Sequence, residues 1–193
     1  MKRFFSGLRK KATTTAVKDD DRFGTGLWRH NRDRFIRAVD RYYTTAVALH
    51  EARDSGRSAT SGTASANADD TSDGKATAAS AKDPVDVIVD GTHRLNALVD
   101  IVDGLTAALH TRCPVTGQVV PGPARQAVGD APELLTKASS KVGEAVLAAS
   151  MARSERPTGR SIDSSAEATA RFITDAEELL GRAREILARV EAS

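Results

Sequence analysis

The groups best placed to do chemistry are Asp86, Asp90 and His93, spaced i, i+4, i+7, with Asp100 further along the same stretch. On a helix this spacing puts carboxylate and imidazole on one face, the donor types a divalent metal takes. The competing reading is a solvated polar face with Asp90 paired to Arg94, and the sequence favours it. A carboxylate-bridged di-metal bundle would need Glu-x-x-His on two helices, and no Glu-x-x-His occurs. His110 and Cys113, three residues apart, could supply an activated thiol or a metal pair. With no second cysteine and no flanking signature, the preferred roles are a helix C-terminal cap for His110 and a small apolar group for Cys113. Phosphate-cradling glycine loops are missing: neither G-x-x-x-x-G-K-[ST] nor a strand-borne G-x-G-x-x-G is present. The expected cofactor set is therefore empty, and the expected protein is not an enzyme.

Two further stretches point to binding. Trp28 to Phe35 interleaves aromatic and cationic residues, as nucleic-acid surfaces do. Trp28 and Phe35 also stand one heptad apart, and Asp33 and Asp40 dilute the charge, so a buried helix face is the stronger reading. Residues 1–18 hold Lys2, Arg3, Arg9, Lys10, Lys11 and Lys18 and no acid. The chain's net charge is +2, so these six cations leave −4 on the other 175 residues. Met1, Phe4, Phe5, Leu8 and Ala12 would share one helical face. The apolar part is too short for a secretory signal. A short amphipathic cationic segment suits an anionic membrane surface, where each cation contributes about 1 kcal/mol. Lys2, Arg3, Phe4, Phe5, Leu8, Arg9, Lys10 and Lys11 are the expected contacts, on the membrane or on a protein partner.

The elements that must position these groups are helical. Ala, Leu, Val and Ile have to build the core, because aromatics are only 4% of the chain. No apolar run approaches the roughly 18 residues a membrane span needs. The single cysteine excludes an intramolecular disulfide framework and suits a reducing compartment.

Asp83–His110 carries the most apolar stripe: Val85, Ile88, Thr92, Leu95, Leu98, Val99, Val102, Leu105 and Leu109. Asp83-Pro84 is a strong helix start, with an N-cap before proline at the first helical position. Residues 85–91 also read as a β-rich run, but the only other such run is 115–120, so the helix is kept whole. An earlier helix uses Trp28, Phe35, Ile36, Val39, Tyr43, Ala46, Val47 and His50. Between these two helices, residues 54–82 contain no Leu, Ile, Val, Phe or Met and are expected to be disordered.

Residues 112–129 read as a loop, with a small hairpin over 115–119. Asp130-Ala131-Pro132-Glu133 and Ser164-Ser165-Ala166-Glu167 read as capping boxes, although Ser161 could start the last helix a turn earlier. The first box opens a helix on Leu135, Ala138, Val142, Ala145, Ala149 and Ala152. The second opens one on Ala166, Ala170, Ile173, Ala176, Leu180, Ala183, Leu187 and Val190.

The expectation is an all-α chain: an antiparallel four-helix bundle over 19–193, with helices at 27–53, 84–111, 131–153 and 164–191. The disordered linker 54–82 interrupts it and a basic tail, 1–18, precedes it. The expected function is that of a non-enzymatic interaction or adaptor protein, cytoplasmic and peripheral to the inner face of the membrane. The alternatives are a nucleic-acid accessory protein, and a metal protein or enzyme using Asp86, Asp90 and His93.

Overall fold

The computed structural model describes residues 19–61 and 82–191. It is helical throughout, with no strand among the described residues. Helix α1 spans Leu27–Ser61, α2 Pro84–Arg112, α3 Gly122–Val128, α4 Ala131–Glu155 and α5 Asp163–Glu191, with a 3₁₀ turn at Arg156–Thr158.

Helix α2 forms as its sequence dictates. The Asp83 carboxylate accepts the Val85 N–H at 2.9 Å, and Pro84 follows it. The residues buried from it include Val85, Ile88, Leu95, Leu98, Val102, Leu105 and Leu109. The β-rich run at 85–91 is helical, because its apolar side chains fall on that same stripe. The buried stripes of α4 and of α5 up to Leu187 also match the periodicity, except that Ala170 is only half-buried.

Helix α1 buries the expected Trp28, Phe35, Val39 and Ala46, but Tyr42 and Leu49 take the places expected of Tyr43 and His50. Tyr42 is fully buried and Tyr43 is 56% exposed. The register is set by Trp28, Phe35, Tyr42 and Leu49, an unbroken heptad series of fully buried side chains. The Tyr42 hydroxyl donates to the Ile88 carbonyl at 2.7 Å. It passes over Gly91, where a Cβ would overlap the Tyr42 hydroxyl and stand 2.7 Å from Ile173 Cδ1.

Helix α1 also runs two turns past its expected end at 53. Arg53 anchors this end, bonding Asp54, Asp83, Asp86 and His50. Ser55 donates to the Glu51 carbonyl. Residues 62–81 of the expected linker lie outside the described residues.

The segment expected as a loop at 112–129 contains α3, because Pro123 sits in its first turn, where a missing N–H costs nothing. No hairpin forms at 115–119. Val115 is buried, and the Gly117 carbonyl accepts the Leu27 N–H at 2.9 Å. Neither capping box closes. Glu133 turns to Arg125 at 3.1 Å, and Asp130 makes no side-chain cap bond. Helix α5 starts one residue early, at Asp163, whose N–H bonds Ser161 Oγ at 3.3 Å. Ser165 is buried and donates to Glu155.

Each long helix packs on two others: α1 on α2 and α4, and α5 on α2 and α4. Between α1 and α2 the partners run in opposite order: Trp28 bonds Cys113, Arg32 bonds Asp103, and Arg53 bonds Asp86. Between α4 and α5 the order is again opposite, from Lys141–Asp175 to Glu155–Ser165. Between α1 and α4 the partners advance together, Asn31 with Thr136 and Arg34 with Ser140. They also advance together between α2 and α5, from Arg94–Glu177 to Arg112–Leu187.

Candidate functional site

A dense polar network surrounds residues 19–33, at the end of the described residues where α1 begins and α2 ends. Residues 19–23 form a helical turn, which closes where the Gly24 N–H bonds the Asp20 carbonyl. Gly24 takes φ +72°, and a Cβ there would stand 2.6 Å from His110 Nδ1. Only glycine takes this turn freely and lets His110 approach so closely.

The turn delivers Phe23 into a pocket where it is 1% exposed. The Arg32 guanidinium lies 4.1 Å from the ring centroid and that of Arg22 4.8 Å. Arg32 also grips Asp103 with two nitrogens, at 2.6 and 3.3 Å, and touches Asp33 at 3.2 Å. Burial disfavours the charge of Arg32, but the hydrogen bond to Asp103 and the charges of Asp103, Asp19 and Asp33 outweigh it and raise its pKa. Arg29 shares Asp33, at 3.0 Å, and collects two more carboxylates, Asp20 at 3.0 Å and Asp19 at 3.6 Å. Trp28 Nε1 donates to the Cys113 carbonyl at 2.7 Å, closing the same end from inside.

The sequence marks none of this directly. Asp19–Gly26 reads as an acidic spacer, yet it is docked on α1 and α2. Phe23, the one large apolar side chain between Lys18 and Leu27, was the available signal. Thr25 is exposed, and the first N–H of α1 goes to the Gly117 carbonyl.

The other candidates fare differently. Asp86 is held by Arg53 at 2.5 Å, and Asp90 pairs with Lys82, not with Arg94. Arg94 reaches across to Glu177 at 2.8 and 2.5 Å and to Thr174 at 2.8 Å. Two acceptors on α5 give it a forked match that one carboxylate on its own helix does not. His93 is exposed. Among the described residues no group of three or more His, Cys, Asp or Glu is gathered for a metal.

His110 Nδ1 is buried without a hydrogen-bond partner under Gly24, so this nitrogen caps no helix end. Cys113 is half-buried, and its N–H bonds the Leu109 carbonyl to close α2. In the Trp28–Phe35 run both aromatics are fully buried, while Arg29 and Arg32 are engaged with carboxylates, so no stacking platform faces outward. Lys2, Arg3, Phe4, Phe5, Leu8, Arg9, Lys10 and Lys11 lie outside the described residues. No helix among the described residues is long and apolar enough to cross a membrane. No family model, curated protein or solved structure matches this chain.

Proposed function

We propose that this chain is a non-enzymatic interaction protein that docks on an anionic membrane surface through residues 1–18. In this reading it is cytoplasmic, peripheral to the inner face of the membrane, and its four long helices form a bundle of two hairpins laid side by side. One observation carries the reading: residues 19–23 are fixed to the body by Phe23, with Asp19 and Asp20 drawn onto Arg29. The residue that follows the six-cation segment is therefore fixed to the body. Two of the three acids next to them in sequence are already occupied by Arg29. The apolar face of Phe4, Phe5 and Leu8 enters the headgroup boundary while the cations meet anionic lipid, giving reversible attachment.

Co-sedimentation with vesicles tests this, comparing the full chain with one starting at Asp19 and with Phe4→Ala/Phe5→Ala. Binding should require anionic lipid, weaken with salt, and be lost in both variants. Equal sedimentation of all three proteins with anionic and neutral vesicles would end the proposal.

A further inference from the structure

The loop between α2 and α3 lies at the same end as the docked segment. The Gly117 carbonyl takes the Leu27 N–H, which fixes this loop against the start of α1. Beyond that bond the chain turns outward as Gln118-Val119-Val120-Pro121-Gly122-Pro123. Val119 is 79% exposed, the most exposed large apolar side chain among the described residues. Pro121, Gly122 and Pro123 are exposed beside it, and only Val120 is half-buried. A lone exposed valine is ordinary, but a run of six residues without a charge, five of them exposed, is not.

Val119 shares the rim of one cleft with Arg125 and Lys137. The Arg125 side chain is 66% exposed, its ion pair being with Glu133 at 3.1 Å, and Lys137 is exposed. An apolar tip flanked by long cationic side chains is the arrangement that enters a headgroup layer. The apolar atoms insert, and the flexible cations stay at phosphate level.

We infer that loop 118–123, with Val119 at its tip, is a second contact with the anionic bilayer, made beside residues 1–18. The inference rests on the membrane reading above and adds an orientation: the end carrying the α1 N-terminus and the α2 C-terminus faces the lipid. Two contacts on one chain act together, so the loop raises affinity although it would not hold the protein alone.

The test uses the full chain with Val119→Asp and Val119→Trp, on vesicles of phosphatidylserine and phosphatidylcholine. Val119 packs against little, so both variants should melt as the parent does. Val119→Asp should lower vesicle affinity about tenfold, the loss expected when one buried valine gives way to a charge. Trp28 is fully buried and gives a constant background. The tryptophan at 119 should therefore shift its emission to the blue when vesicles are added and be quenched by brominated lipid.

If the parent sediments and Val119→Asp sediments equally, with no emission shift in Val119→Trp, the loop contact is refuted and the role of residues 1–18 stands. If the parent does not sediment at all, both fall. A blue shift that grows with protein concentration in the absence of vesicles would mean that a second copy covers the tip, and would overturn the lipid assignment.

Discussion

Each end of the α1/α2 pair is tied by one arginine, and the two ties differ in what they hold. Arg53, near the end of α1, bonds Asp54, Asp83, Asp86 and His50. All its partners are polar, and they serve to carry α1 beyond the point where its apolar residues stop. Arg32, near the start of α1, bonds Asp103 and Asp33 and also covers the Phe23 ring. Its side chain is 13% exposed and that of Arg53 11%, so the difference is not one of burial. One arginine closes a helix end; the other holds down a separate segment through a buried aromatic ring. An ion cluster alone extends structure that already exists, whereas an ion cluster over an aromatic ring recruits structure from outside the long helices.

Three substitutions probe this contrast, in falling order of effect. Phe23→Ala should cost about 3 kcal/mol, since it empties a fully enclosed aromatic site. Chemical denaturation reads the loss, and amides of residues 19–26 should exchange rapidly. A near-neutral result would mean that Arg32 and Arg29 hold the segment without the ring. Arg32→Ala should cost about 2 kcal/mol, because the charge-assisted bonds to Asp103 go with it. Arg53→Ala should lower the melting temperature less and loosen only the last turns of α1, which hydrogen exchange can localise. Comparable losses spread over both ends would erase the distinction.

Tyr42→Phe should cost about 1 kcal/mol through the lost bond to Ile88. It also carries a pH signature. Burial raises the pKa of Tyr42, with the charge of Arg94 opposing only in part. The phenol ionises more readily in the unfolded chain, so its contribution is complete below about pH 10. It is lost progressively as pH rises toward the folded-state value. Stability of the parent should fall with alkali more steeply than that of Tyr42→Phe. Parallel curves would show that Tyr42 is not enclosed.

Much of the fold is legible in the chain, for reasons that mark where legibility stops. The stripes of α2, α4 and α5 are dense enough to fix their phase, and the Asp83-Pro84 start is local chemistry. Helix α1 has fewer apolar residues, and at the Tyr42-Tyr43 pair the choice depends on continuing the Trp28–Phe35 heptad to Leu49. Residues 54–61 carry nothing to bury, and their helix rests on Arg53 meeting carboxylates some 30 positions away. Arg94 prefers α5 to its own helix only because Glu177 and Thr174 present two acceptors together. The candidate site is the least legible part. Phe23 is an isolated apolar residue in an acidic stretch, and its pocket is assembled from Arg32 and Asp103, which are 71 positions apart.

Hydrogen exchange on the full chain, with and without phosphatidylserine vesicles, tests the central claim most directly. Residues 19–26 should be protected in both conditions, and residues 1–18 should gain protection only on vesicles. Rapid exchange of residues 19–26 in the free protein, or no change in residues 1–18 on lipid, would contradict it.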